Sequence, residues 1–497
     1  MTTGIHSTVL RVAAAGIIAA LSGCALGPNF KRPAAPTDSG YGSAPVQADM
    51  PSSEGTGGSA QRLVADMDIP AQWWTLFRSP KLDRLVEQAM QGNPNVTAAQ
   101  AALRQAHELY AAERASFFPT VQGGVTATRA RNAVGSISNP TVLPQQSPYY
   151  NLYTAQLSVS YLPDVFGATR RSVEAAKAQA ESSRFQLEAT YLTLSSNVVV
   201  TAIQEASLRG QIAATEHLLD LQHQLTVKVR QQQTLGTVSH LDVLTQESVE
   251  AQTAATLPPL QKQLGQTRDA LTALLGKLPA EEPEETFRLD ELTLPAELPV
   301  SLPSKLVEQR PDVRQAEADL HVASAQDGVA LAEMLPQFMI SANTGSSALQ
   351  IGQLFASGNG FWDVGASLTQ TLFDAGALLH RHRAADAALD EAGAQYRAAV
   401  VLACQNVADT LRALQADANA LKASAEASRA AKASFDLSQK QRDLGTISFV
   451  SVLAAEQIYQ QSELALVQAQ ANRYSDTAGL FQALGGGWWN RGGSRSL

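Results

Sequence analysis

Few side chains in this sequence are arranged to do chemistry, and the clearest is a thiol. Cys24 follows Leu21-Ser22-Gly23 at the end of a short apolar run, Val12–Leu21, where it is open to covalent modification. The other cysteine, Cys404, lies in a helical tract. With Cys24 modified, Cys404 has no partner for an intrachain disulfide, and a small buried apolar role suits it better than reactivity. His380-Arg381-His382-Arg383 is the one cluster that draws attention as a metal site. Two histidines two positions apart on a helix point about 200° apart and cannot chelate one ion. These four residues read instead as a basic collar, with Arg170-Arg171 in a comparable place earlier in the chain. No nucleophile–base set, phosphate loop or Cys/His metal motif appears, so neither enzymatic activity nor a cofactor is expected. The net charge of −9, from 37 Lys and Arg against 46 Asp and Glu, argues against nucleic acid as a partner.

Residues 1–23 read as an export signal. Arg11 precedes an apolar run of about 10 residues, too short to span a bilayer as a mature helix. Leu21-Ser22-Gly23-Cys24 resembles the bacterial lipoprotein signal, in which the Cys becomes the lipidated N-terminus. Ala25 stands where a retained lipoprotein carries Asp, so the resemblance implies the outer membrane. No 18-residue apolar segment follows Cys24, and any membrane crossing must be made by strands.

The elements that would position such an anchor emerge from self-comparison. Asn93-Pro94-Asn95-Val96 matches Arg310-Pro311-Asp312-Val313, and Pro119 matches Pro336, both at an offset of 217. Farther on the offset is 209: Tyr153 with Trp362, Asn197-Val198 with Asn406-Val407, Leu235-Gly236-Thr237 with Leu444-Gly445-Thr446, Leu275-Gly276 with Leu484-Gly485. The difference of 8 falls in the Gly-, Ser-, Asn- and Pro-rich segments 129–152 and 346–361, as loops allow.

Each repeat reads as helix, strand, loop, strand, very long helix, tight turn, helix. Tyr153, Ala155, Leu157, Val159 and Tyr161 alternate with Thr154, Gln156, Ser158 and Ser160; Trp362, Val364, Ala366 and Leu368 alternate with Asp363, Gly365, Ser367 and Thr369. Strands of this length with one apolar and one polar face match transmembrane barrel strands. A soluble four-stranded sheet is the alternative. Four strands cannot close a barrel, and an open edge in lipid leaves backbone groups unpaired. The protein must therefore oligomerise, with cyclic symmetry.

The long helices run from Gly167 to Leu235 and from Gly376 to Leu444, 68 steps each. At about 1.5 Å per residue each is roughly 100 Å long. A kink is expected in the first return helix at Pro258-Pro259. The expected division is a tether at 24–69, helices at 70–118, strands at 119–162, a long helix, turn and return helix at 163–276, and a connector at 277–310. A helix at 311–335, strands at 336–373, helices at 374–484 and a tail at 485–497 complete it. Pieces outside the repeat, Lys277–Pro303 and Gly485–Leu497, would build a belt between stacked short helices.

With these residues in view, the chain resembles the outer-membrane efflux protein (TolC-like) family, in its NodT-like lipoprotein branch. The carrying motifs are Gly27-Pro28-Asn29-Phe30, Trp73-Trp74 with Phe77 and Pro80, Leu82-Asp83-Arg84-Leu85-Val86, Asn93-Pro94, Gln309-Arg310-Pro311-Asp312 and the paired Leu-Gly-Thr turns. The resemblance implies a homotrimer with a 12-stranded β-barrel continuous with a 12-helix periplasmic tunnel. It also implies docking to a periplasmic adaptor and an inner-membrane pump, usually of the resistance–nodulation–division type, for export of small toxic compounds or drugs.

Gly236, Thr237, Gly445 and Thr446 would then form the periplasmic tip that meets the adaptor and constricts the closed tunnel. Asp242 falls where relatives carry a gating carboxylate, but its repeat mate is Ser451, and Ile447 stands where some relatives have Arg. An Asp242 ring with an apolar constriction at Val238, Ile447 or Phe449 is the expected gate. A plain helix N-terminal acid is an equal reading of Asp242. A duct for secreted polypeptides and a periplasmic structural or adaptor lipoprotein remain as alternatives.

Overall fold

The computed structural model describes residues 26–38, 40–42, 47–131 and 149–491; the expected export signal, Cys24 and residues 132–148 and 492–497 lie outside them. In chain order the elements begin with β1 (Asp49–Met50), β2 (Gln61–Ala65), α1 (Pro80–Gly92), α2 (Pro94–Arg114), β3 (Thr120–Arg131) and β4 (Tyr149–Tyr161). They continue with α3 (Ala168–Thr234), α4 (His240–Ala254), α5 (Leu257–Leu274), β5 (Glu297–Val300), α6 (Pro303–Gln309) and α7 (Pro311–Glu333). The last are β6 (Gln337–Ala348), β7 (Gly360–Thr369), α8 (Ala377–Asp443) and α9 (Phe449–Ala483). Helices α3 and α8 have 67 residues each. None of the described helices is long and apolar enough to cross a membrane.

The chain forms two compact units. The first comprises residues up to Arg32, Arg104–Glu181 and Ala318–Ala394, and it holds a sheet ordered β3-β4-β6-β7. All three pairings are antiparallel, and their register fixes the faces. Leu157 lies opposite Gly123 on β3 and Thr344 on β6; Ile340 lies opposite Ala366. Directly opposed residues share a face. One face therefore carries Val121, Val125, Tyr153, Leu157, Val159, Phe338, Ile340, Trp362, Val364 and Leu368. The other carries Gln122, Thr126, Gln156, Ser158, Asn343, Asp363 and Ser367. Within the described chain the apolar face is uncovered: Val125 is 77% exposed, Trp362 77% and Val364 69%. The outer edges of β3 and β7 have no strand partner among the described residues.

Where β4 leads into α3, Asp164 accepts from the backbone N–H groups of Thr169 and Arg170, each at 3.0 Å. Where β7 leads into α8, Asp374 accepts from those of Gly376 and Leu378, at 2.9 and 2.8 Å. Both carboxylates satisfy helix-start donors that nothing else pairs.

The second unit comprises Pro33–Leu103, Ser182–Glu317 and Gln395–Leu497. In it β2 pairs antiparallel with β1 and parallel with β5. Strands Asp49–Met50 and Gln61–Ala65 of the expected tether and Glu297–Val300 of the expected connector thus form one sheet. Beside it Trp73, Phe77, Tyr474 and Phe481 make an aromatic core, with Trp73 and Phe481 stacked at 5.4 Å. Arg473, fully buried, donates to the carbonyl of Ser59 at 2.8 Å and to Gln61 Oε1 at 3.3 Å, tying α9 to β2. The tail returns here: Trp488 Nε1 donates to the Gln309 carbonyl at 2.6 Å and Trp489 Nε1 to Asp68 Oδ1 at 3.0 Å.

The expected bend at Pro258-Pro259 is a full break. Helix α4 ends at Ala254 and α5 begins at Leu257, with the prolines in its first turn. A proline ring clashes with the carbonyl four residues back, so the preceding helix stops at Ala254 and the missing N–H groups fall where none is needed.

Candidate functional site

The paired turns between α3 and α4 and between α8 and α9 have the same construction. Gly236 and Gly445 both sit at φ +73°. The N–H of Gly236 donates to the Gln233 carbonyl at 2.9 Å and that of Thr237 to the Gln232 carbonyl at 3.0 Å. The matching bonds run from Gly445 to Arg442 at 2.8 Å and from Thr446 to Gln441 at 3.0 Å. This six-to-one, five-to-two pattern closes the last carbonyls of a helix and requires a left-handed residue. Thr237 and Thr446 add hydroxyl bonds to the same Gln232 and Gln441 carbonyls, at 2.9 Å each. A Cβ at either glycine would meet only open space, so the backbone angle alone demands glycine. Gly236→Ala or Gly445→Ala should cost about 1–2 kcal/mol locally. Amide exchange in the altered turn should rise roughly five- to thirtyfold; unchanged exchange would contradict the strain argument.

The return helices differ in their caps. Asp242 Oδ2 accepts from the backbone N–H and the hydroxyl of Ser239, both at 2.9 Å, while Ser239 Oγ accepts from the Asp242 N–H at 3.3 Å. This is a capping box. The Ser239 backbone bond, then its hydroxyl bond, hold the Asp242 carboxyl below the usual carboxylate range. In the second turn Ser448 accepts from the Ser451 N–H at 3.3 Å, and no carboxylate completes the box. Asp242 thus has the geometry of a helix N-terminal acid.

The apolar residues of the turns are distributed differently from expectation. Phe449 is only 7% exposed, packed with Val229 and Val243, with the Arg442 guanidinium 4.7 Å above its ring. Its ring is thus packed against residues of its own chain. Val238 packs against the same cluster, and Ile447 against Leu218, Phe435 and Val452. Four others turn to solvent: Leu235 (77%), Leu241 (72%), Leu444 (78%) and Val450 (68%). The sequence signal for two of them was available, since each directly precedes the left-handed glycine.

Cys24 lies outside the described residues, but the segment after it is firmly held in the first unit. Arg171, 4% exposed at its side chain, donates to the carbonyl of Leu26 at 3.1 Å, to that of Gly27 at 3.3 Å and to Asn29 Oδ1 at 2.8 Å. Its remaining arm reaches Glu174 Oε2 at 2.7 Å. The other Glu174 oxygen lies 2.8 Å from His321 Nε2, and that imidazole stacks on Phe30 at 4.2 Å. Burial opposes ionisation of Glu174, but His321 and Arg171 outweigh it and hold the carboxyl below the usual range. Gly27, at φ +89°, lies so near Gly328 that a Cβ would fall 2.5 Å from its Cα. Gly27-Pro28-Asn29-Phe30 is therefore a clasp. Arg171 belongs to it and not to the expected basic collar, from which it is withdrawn by burial. Of the other cluster, His382 lies 3.1 Å from Asp327, while His380, Arg381 and Arg383 are exposed. Cys404 is partly buried, not fully, and burial raises its thiol.

Comparison with known proteins agrees with this arrangement. The profile of the outer membrane efflux protein family matches residues 85–277 and 302–486. The pyoverdine export outer membrane protein OpmQ of Pseudomonas putida is 29% identical over 84% of this chain and 89% of its own. The toluene efflux pump outer membrane protein TtgI of the same species is 29% identical over 94% and 96%. The solved outer-membrane channel OprN superposes with a TM-score of 0.83 at 27% identity, over 94% of this chain and 100% of that one. The chain belongs to the outer membrane efflux protein family.

Proposed function

We propose that this chain is one subunit of a trimeric outer-membrane efflux channel of the NodT-like lipoprotein branch, exporting small toxic compounds or drugs without catalysis. The observation that carries the reading is the four-stranded sheet with one apolar, uncovered face and two free edges. In hydrocarbon those edges must pair. Three copies give 12 strands, within the range of known barrels, and the repeated helices of each copy would continue it as a periplasmic tunnel. The matching elements on either side of the connector, with α3 and α8 of equal length, support the two-fold internal repeat. The channel partners would be a periplasmic adaptor at the turns and an inner-membrane pump, by type a resistance–nodulation–division pump. The relatives are named for cargoes as unlike as pyoverdine and toluene, which fits selection by the pump and a permissive duct. The exposed leucines of the turns, with the Asp242 cap beside them, are the surface offered for closure and for the adaptor.

The decisive experiment is electrophoresis of the full-length protein in mild detergent with and without heating. A heat-sensitive trimer that keeps its strand signal is expected; a monomer with an intact sheet would overturn the barrel. The lipid is tested separately. Cys24→Ser should abolish incorporation of a labelled fatty acid while the trimer persists, held by its strands. Labelling of the variant at the wild-type level would exclude Cys24 as the acylated residue.

A further inference from the structure

We propose that Glu456, with Gln222 and Gln246, forms a proton-binding site inside the helical hairpins, filled when they are packed and emptied when they open. The three side chains come from α9, α3 and α4, and each is buried, at 1%, 1% and 0% exposure. They sit beside the apolar cluster of Leu218, Phe435, Val452 and Tyr459. Neither carboxylate oxygen of Glu456 makes a well-formed hydrogen bond, the Gln222 side chain being the polar group beside it, and the amide oxygens of Gln222 and Gln246 also lack a partner. Gln246 Nε2 donates weakly to the Gln222 carbonyl at 3.4 Å, linking α4 to α3. Four buried oxygens without a well-formed hydrogen bond are a site short of donors. A carboxyl that carries its own proton supplies one, whereas an unpaired carboxylate there would bear the full desolvation cost.

The charged groups of the surrounding turns are engaged elsewhere. On α3 and α4, His223 lies 3.0 Å from Glu250, and Arg230 lies 2.8 Å from Glu247. On α8, Lys432 pairs with Asp436 at 3.3 Å, and Arg442 covers Phe449. On α9, the Tyr459 hydroxyl is raised by burial and then by Glu463 and Asp436. Burial pushes the Glu456 carboxyl up to about 7, with Gln222 as the polar group partly opposing it. The one hydroxyl proton of Thr226, itself buried, can be given to Glu250 Oε2 at 2.5 Å or to the Gln222 carbonyl at 3.0 Å, and Glu250 lies 3.0 Å from the exposed His223. Because Glu456 is enclosed within one protomer, assembly with other copies does not expose it.

The direction of the pH effect follows. The packed-state value lies above the value of an exposed Glu, so packing retains a proton between about pH 4.5 and 7. Stability from this group is full below the lower value, falls as pH rises through that window, and is constant above it. From pH 6 to pH 8 the opening equilibrium of the hairpins should grow about tenfold.

Hydrogen exchange on the full-length protein in detergent, corrected for intrinsic rates, reads this for α4 and the first three turns of α9. Wild type should open about tenfold more at pH 8 than at pH 6. Glu456→Gln should show no such rise, and Glu456→Leu, which needs no proton, should be protected equally at both values. A wild type without the rise, or either variant retaining it, would overturn the proposal. The readout does not depend on export or channel activity, so it stands or falls separately from the efflux reading.

Discussion

Leu157→Arg is expected to destabilise the assembled protein by about 2–4 kcal/mol, whereas Ser158→Arg, one residue away, should cost much less. Leu157 is central on β4, opposite Gly123 and Thr344. Its row is the apolar one, and it is 53% exposed in the single chain. In a closed barrel that exposure would be to lipid, and a guanidinium near the bilayer midplane is costly there. Ser158 faces the other way, opposite Gln122 and Asn343, and accepts from Gln156 Nε2 at 3.2 Å. An arginine among these residues would face water in the lumen. Refolding into vesicles over a urea series, scored by the heat-sensitive trimer, gives both costs. Equal losses for the two variants would mean that the sheet does not face lipid with its Leu157 row. A soluble sheet buried against another protein would also penalise Leu157→Arg, but it would form without vesicles.

The strands were legible because a period of two is hard to produce by accident over nine residues, as in 153–161. The register of β3 was not, because Gly123-Gly124 interrupts its pattern; only pairing with β4 puts Val121 and Val125 in the Leu157 row. The long helices were bounded by their glycines, since the ends of a helix are set by local chemistry. What escaped was long-range. Nothing near Arg171 in the sequence announces that it is buried against residues 26–29, some 145 positions away. The strands of the expected tether form only because β5 lies alongside β2. At the turns, residue type identified Phe449 and Ile447 as apolar but could not tell that they face the protomer interior. The alternation of buried and exposed positions there depends on α8 packing on α9, where Phe435 and Tyr459 stack at 5.8 Å, and on Leu218 of α3 joining the same cluster.

That inward packing reshapes the expectation for closure. The apolar side chains left exposed at the turns include Leu235, Leu241, Leu444 and Val450, and the Asp242 Oδ2 atom is occupied in capping. Replacing both Leu235 and Leu444 by Asp should therefore open the channel without an adaptor. In a trimer the change removes six exposed leucines and installs six carboxylates around one axis. At about 7 Å in a medium of dielectric near 20, each neighbouring pair repels by roughly 2–3 kcal/mol before screening. Single-channel recordings should show a several-fold rise in open probability at pH 7 and cation preference. Both should fade as pH falls below about 4, where the new carboxyls are protonated and the repulsion is lost. Asp242→Asn serves as the contrast. It weakens one helix cap, worth about 1 kcal/mol, so it should loosen the start of α4 without a comparable rise in opening. Phe449→Ala should cost about 3–5 kcal/mol of local packing and disorder the tip, a loss seen in exchange and not as a defined conductance. If Asp242→Asn alone opens the channel while the double leucine variant stays shut, closure is polar, and the exposed leucines serve only to bind a partner.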